Sequence, residues 1–129
     1  MKVKITHVAI FVRDLEKTKD YYINYFGGRS NELYEEPEQG FSSYFITFDS
    51  GASLEIMNLT EFKDSLPANL ANGWNHVAFS VGDRETVTAL TEKLVSAGYE
   101  LYSPPRETGD GYFESCVADP DGNRVEITE

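Results

Sequence analysis

His7-Val8-Ala9-Ile10-Phe11-Val12 returns 69 positions on as His76-Val77-Ala78-Phe79-Ser80-Val81. Asp14 matches Asp83 at the same offset. Farther along, Gly51-Ala52-Ser53-Leu54-Glu55-Ile56 matches Gly122-Asn123-Arg124-Val125-Glu126-Ile127 at an offset of 71, the drift of two residues being a change in loop length. The order is the same in both halves. The chain therefore reads as two copies of one unit, not as an array of short repeats.

Each copy predicts a strand, a helix and three further strands. In the first, residues 4–12 alternate and are β-rich. Asp14 is an N-cap, Leu15, Lys19, Tyr22 and Phe26 recur near helical spacing, and Gly27-Gly28 ends the pattern. Strands are expected near 30–35, 42–49 and 52–58, with Asp49-Ser50-Gly51 turning between the last two. In the second copy a strand covers 74–81, and Asp83 caps a helix that runs through Val87, Leu90, Leu94 and Ala97 until Gly98 stops it. Strands near 99–102, 112–118 and 123–128 follow, with Asp119-Pro120-Asp121-Gly122 as the last turn. Residues 103–111 read as a polar loop, and 59–73, with Pro67 and Gly73, as a linker. The expected organisation is one α+β domain over 1–129, built from tandem βαβββ modules at 1–58 and 74–129.

Side chains alternate across a strand. Thr6, Val8, Ile10 and Val12 share one face of the first strand, and Ile5, His7, Ala9 and Phe11 the other. In its repeat, Val77, Phe79 and Val81 oppose Trp74, His76, Ala78 and Ser80. In the closing strands Leu54 and Ile56 oppose Ser53, Glu55 and Met57, while Val125 and Ile127 oppose Arg124, Glu126 and Thr128. The apolar faces suit packing under a helix. The concave faces are then left with His7, Glu55, His76 and Glu126.

A lone histidine in a strand is more often a hydrogen-bonded core residue than a ligand, and a lone glutamate is usually solvated. Here both histidines of the chain fall at one repeat position, and the two glutamates at another. That coincidence decides for a metal site. Two imidazoles and two carboxylates suit divalent Zn, Ni, Co, Mn or Fe. If a pseudo-twofold axis relates the copies, all four groups converge. Two carboxylates about one metal also suit a 1,2 proton transfer.

At these residues the chain resembles the vicinal oxygen chelate superfamily, the glyoxalase, bleomycin-resistance and extradiol dioxygenase group. The resemblance covers nearly the whole chain and rests on THVAIFVRDLEKTKDYYINYFGG (6–28), NHVAFSVGD (75–83) and DPDGNRVEIT (119–128). It implies curved mixed sheets that form a metal-centred cup. Within the superfamily, the order His7, Glu55, His76, Glu126 matches glyoxalase I (lactoylglutathione lyase) of the bacterial type. The resemblance thus implies a lyase or isomerase that needs a divalent metal, Ni or Zn first. It would convert the hemithioacetal of methylglyoxal and a thiol to a thioester, with Glu126 moving the proton and Glu55 as a second base. The alternatives are thiol transfer to an epoxide antibiotic, epimerisation, ring-cleaving dioxygenation, and a non-catalytic drug-binding module. Glu55 argues against thiol transfer and ring cleavage, which leave that place without a carboxylate.

The sequence departs from the glyoxalase I pattern at the thiol pocket. Phe11 stands where those enzymes carry an arginine for glutathione, Leu59 stands where they carry an asparagine, with Asn58 adjacent, and Asn75 precedes the second histidine. The expected thiol is therefore not restricted to glutathione. Phe11, Met57 and Trp74 share the concave side by parity and are expected to line an apolar pocket. Arg124 shares the parity of Glu126 and is a candidate for an anionic substrate group, with Arg106 a weaker one. Tyr21, Tyr22 and Tyr25 are expected to pack, and Cys116 to be a small buried residue.

Composition limits the partners. The chain has 22 acidic and 11 basic side chains and a formal net charge of −11, with no basic stripe for nucleic acid or an anionic membrane. Its one cysteine forms no internal disulfide. No apolar run approaches the ~20 residues of a membrane-spanning helix. The start, MKVKITHVAIFV, has the alternation of a strand rather than the pattern of a signal peptide, so a cytoplasmic protein is expected. A homodimer acting on a small molecule is the expected assembly, because a single βαβββ unit leaves sheet edges open.

Overall fold

The computed structural model describes residues 7–60, 76–108 and 111–129. The chain divides into two units, Met1–Asp64 and Ser65–Glu129.

In the first unit, β1 (His7–Phe11) leads into α1 (Leu15–Phe26). Asp14 starts the helix by accepting the Lys17 N–H at 3.0 Å. Gly27 ends it at φ 67°, a left-handed conformation that glycine adopts without Cβ penalty, and the Gly28 N–H returns to the Tyr22 carbonyl at 3.1 Å. Thr18, Tyr21 and Tyr22 are buried, and the two tyrosine rings meet edge to face at 4.9 Å, so these tyrosines are packing groups. β4 (Phe41–Thr47) and β5 (Ser53–Leu59) complete the hairpin, and the sheet order is β1-β5-β4-β2, with β5 parallel to β1 and antiparallel to β4.

The strand expected near 30–35 is two short pieces, β2 (Arg29–Ser30) and β3 (Tyr34–Glu36), both antiparallel to β4. Asn31 makes the break. Its side-chain oxygen accepts the Phe45 N–H at 2.8 Å while its own N–H goes to the Phe45 carbonyl at 3.1 Å. Asparagine commonly substitutes a side-chain bond for a ladder bond in this way.

The second unit repeats the plan. β6 (His76–Ser80) precedes α2 (Arg84–Ser96), capped by Asp83, which accepts the Thr86 N–H at 2.8 Å. β7 (Leu101–Glu107), β8 (Phe113–Ala118) and β9 (Arg124–Thr128) follow, in the order β6-β9-β8-β7 with β6 parallel to β9. One expectation is corrected here. Most of the stretch read as a polar loop from 103 is strand: Pro104 and Pro105 lie within β7. They are tolerated because β7 is the edge, and register shifts on either side of Ser103 absorb them. The buried stripe of α2 is Val87, Thr91 and Leu94, while Ala97 is exposed. Thr91 is satisfied inside the core by the Val87 carbonyl at 2.6 Å and the Ser115 hydroxyl at 2.7 Å.

Each unit is thus α+β, one helix laid on a mixed sheet. Its core lies between helix and sheet: Val12, Ile46, Leu54 and Ile56 in the first unit, and Val87 and Leu94 of α2 with Val117, Val125 and Ile127 of the sheet in the second. Among the described residues no helix is long and apolar enough to cross a membrane.

Two predictions follow from this packing. A Cβ on Gly28 would lie 2.4 Å from Cγ2 of Ile46 and 3.2 Å from the Tyr22 carbonyl oxygen. Gly28→Ala is therefore expected to lower unfolding free energy by about 1–3 kcal/mol, read from urea melts. The Thr86 backbone N–H holds the Asp83 carboxyl below its ordinary 3.8. A carboxyl with a depressed folded pKa contributes above its unfolded value and loses that contribution as pH falls through the folded one. The urea-midpoint difference between the native chain and Asp83→Ala should be constant near neutral pH and shrink below pH 3.8.

Candidate metal centre

The position of each glutamate follows from a parallel register. His7 pairs with Ser53 and Ala9 with Glu55; His76 pairs with Arg124 and Ala78 with Glu126. In both units the glutamate lies two residues beyond the partner of the histidine, on the same face. The opposite face is held by the buried Leu54 and Ile56, or Val125 and Ile127. A slip of one residue would turn these four into solvent and the carboxylates into the core, so the register is strongly specified.

The two side chains meet in each unit. His7 Nε2 is 3.9 Å from Glu55 Oε1, and His76 Nε2 is 3.2 Å from Glu126 Oε2. The imidazoles are 46% and 38% exposed, the carboxylates 17% and 20%. The histidines are thus reachable while their carboxylates are largely covered. Imidazole and carboxylate ligands at about 2.1 Å from a tetrahedral ion stand roughly 3.4 Å apart. The two observed separations bracket that value, and a donor set of one nitrogen and one oxygen is of borderline hardness, so each pair fits two positions of a divalent ion. Among the described residues no group of three or more His, Cys, Asp or Glu is gathered in one place.

The surroundings of the two pairs differ. In the first unit Phe45 pairs with Glu55, and its ring stands edge-on to His7 at 5.3 Å. Phe11, 45% exposed, pairs with Met57, so these two expected pocket residues share the His7 face of β1 and β5. Asn58 is already committed: its amide donates to the carbonyls of Val12 at 2.8 Å and Arg13 at 3.1 Å, tying β5 to the end of β1. Trp74, expected beside them, lies outside the described residues. In the second unit the neighbour of Glu126 is Cys116, which is buried, and burial pushes its thiol pKa up. A thiol in this state is a small packing group rather than a nucleophile. Arg124 shares the face of Glu126 and lies over the Tyr102 ring, while Arg106 donates to the Ser103 hydroxyl at 3.2 Å.

Phe45, Cys116 and Tyr102 were not singled out from the sequence as neighbours of the pairs. The repeat carries a signal for the first two, since an offset of 71 places Phe45 on Cys116. Tyr102 carries none, because its position depends on the irregular register of β7.

The turn before β9 explains why 119–128 reads as a motif. Asp119 is 3% exposed. One of its oxygens accepts the N–H groups of Asp121 and Asn123, both at 2.9 Å, and the other the Asn123 amide at 2.9 Å. Gly122 supplies the positive φ of 81°. Asp119 therefore shapes the entry to the strand that carries Arg124 and Glu126.

These two units, each with one helix on a mixed sheet and a histidine and glutamate on paired parallel strands, define a glyoxalase-like α+β protein. The family model described as Glyoxalase/Bleomycin resistance protein/Dioxygenase superfamily matches residues 4–127, and the chain belongs to that superfamily. It is 28% identical over 127 residues to a lactoylglutathione lyase of Arabidopsis thaliana, covering 98% of this chain and 44% of the plant protein. The chain thus spans less than half of that relative. It is 25% identical over 129 residues to a lactoylglutathione lyase of Neisseria meningitidis, covering 98% of this chain and 91% of the other. Among solved structures, a glyoxalase family protein from Enterococcus faecalis superposes with a TM-score of 0.80 at 28% identity, covering 98% of this chain and 97% of that one. Members of the glyoxalase family act on small molecules, and metal dependence is typical of them.

Asp119→Ala is expected to destabilise the chain by about 2–4 kcal/mol, since three donors lose a buried carboxylate, and Asp119→Asn by less. Urea unfolding checks both.

Proposed function

We propose that the chain is a divalent-metal-dependent lyase of the glyoxalase I kind. It converts the hemithioacetal of a 2-oxoaldehyde such as methylglyoxal and a thiol to a 2-hydroxyacyl thioester. The observation that carries this reading is the His–Glu pair repeated at one register in both units. The proposed ligands are His7, Glu55, His76 and Glu126. A single pair fills two positions, half of a tetrahedral set, and two pairs supply all four. The proposed metal is Ni or Zn, with Co, Mn and Fe also compatible with this donor set. When bound, the ion supplies Lewis-acid polarisation of the substrate's oxygens.

The reaction is an isomerisation. One proton leaves the carbon that bears hydroxyl and sulfur and one is delivered to the neighbouring carbonyl carbon, the hydroxyl proton passes to the former carbonyl oxygen, and no oxidant or reductant is consumed. Glu126 is assigned to this transfer and Glu55 is a second base. Glu126 suits the role by its partial cover from water and the imidazole at 3.2 Å that orients it. Phe11, Met57 and Phe45 offer an apolar wall on the face of the first pair. Phe11 in place of an arginine, together with the commitment of Asn58 to β1, supports a thiol other than glutathione. A homodimer belongs to the same reading. Each sheet ends on its histidine-bearing strand, and such edges are ordinarily covered.

The test is an assay of Ni- and Zn-loaded protein with methylglyoxal and a panel of thiols: glutathione, cysteine, coenzyme A, 2-mercaptoethanol and 3-mercaptopropionate. Thioester formation is expected with at least one thiol, and Glu126→Gln should lower kcat by about 10²–10⁴-fold. In metal titrations His7→Ala and His76→Ala should each weaken binding of a single ion by at least about 10–100-fold. Folded, metal-loaded protein that turns over no thiol rejects the lyase. Two independent ions per chain reject the shared ligand set. Glu55→Gln and Glu126→Gln that leave metal binding unchanged favour a non-catalytic binding module.

A further inference from the structure

Arg124 differs from the other described cations in carrying a buried guanidinium nitrogen without a hydrogen-bond partner among the described residues. Lys19 pairs with Glu16 at 2.8 Å, Arg29 with Asp49 at 3.2 Å, and Arg84 with both Glu107 and Glu129. Arg124 makes no such ion pair among the described residues, although the chain has 22 acidic side chains. Its Nε is buried and has no hydrogen-bond acceptor among the described residues. An arginine present only to balance surface charge keeps its donors in water. A buried guanidinium N–H without an acceptor is costly.

The side chain is nevertheless held. Its guanidinium carbon lies 4.9 Å from the centroid of the Tyr102 ring, and the Tyr102 hydroxyl donates to the Gly122 carbonyl at 2.9 Å. The stack thus joins the edge strand β7 to the turn that opens β9. In the parallel register Arg124 is the partner of His76, and it shares the face of Glu126 two residues on. A cation so close to a candidate divalent ion is repelled by it, unless an anion lies between the two.

We propose that Arg124, braced on Tyr102, recognises a carboxylate on the substrate beside the His76–Glu126 pair. This rests on the lyase reading above and narrows its substrate to a hemithioacetal that carries a monoanionic carboxylate. The planar fork of a guanidinium matches a carboxylate with two parallel N–H bonds from its terminal nitrogens. A single guanidinium balances one negative charge. A phosphate dianion would face Glu126 and Glu114 on the same part of the sheet with only that one cation to offset them. Arg124 is in this account a specificity residue that leaves the proton transfer to the glutamates.

Two measurements test it. In the Zn-loaded, 15N-labelled protein, the Nε–H resonance of Arg124 is assigned by its loss in Arg124→Lys. It is then followed during titration with propionate and with its neutral isostere propionamide. A saturable shift with propionate at about millimolar Kd, and none with propionamide, is expected. In the methylglyoxal assay, Arg124→Gln should raise KM with 3-mercaptopropionate by about 10–100-fold more than it raises KM with 2-mercaptoethanol. An unmoved resonance, or equal shifts with the two probes, overturns the proposal, as does an unchanged KM. If no thiol is turned over, the resonance decides alone. A propionate-selective shift then upholds Arg124 as the carboxylate site while the lyase reading falls. If Arg124→Gln does not fold, the titration of the native chain still decides.

Discussion

Two parallel strand pairings carry the candidate site. β1 lies against β5 and β6 against β9, and in each case the register sets a histidine and a glutamate two residues out of step on one face. Parallel pairing between strands far apart in sequence needs a crossover, which here includes the helix and the intervening hairpin strands. Everything else in a unit serves that pairing. The helix buries Leu54 and Ile56, or Val125 and Ile127, and so forces the carboxylates to the other face. The N-cap aspartates start the helices close behind the histidine strands, and the Asp119 turn delivers β9 in register.

The units share a frame and differ in what surrounds it. Phe45 and Cys116 occupy one repeat position, an aromatic ring against His7 in the first unit and a buried thiol beside Glu126 in the second. The first unit presents Phe11 and Met57 near its pair, the second a guanidinium stacked on tyrosine. A duplicated fold thus carries duplicated donors with unlike flanks.

Much of the fold is legible in the residues alone. Asp14 and Asp83 cap helices because short polar side chains before an apolar stripe satisfy the first N–H groups. Strand parity sorts His7 from Val8 and Glu126 from Val125 because an unbulged pleated strand alternates its side chains. The errors are equally physical. Asn31 interrupts a strand by putting its side chain into the ladder, which β-propensity does not register. Pro104 and Pro105 read as loop, yet an edge strand with register shifts tolerates a missing donor.

By itself the sequence determined the duplication, the two helices and their caps, the face on which each histidine and glutamate lies, and the family to which these belong. Those are properties of period and local chemistry, which neighbouring residues encode. Only the tertiary structure decided that each histidine meets its glutamate, 3.9 Å apart in one unit and 3.2 Å in the other. It alone showed that Asn58 is committed to β1 and that Arg124 rests on Tyr102 with an orphaned Nε. Such contacts join residues 20 to 50 positions apart, and register and packing set them, not any pattern within one strand.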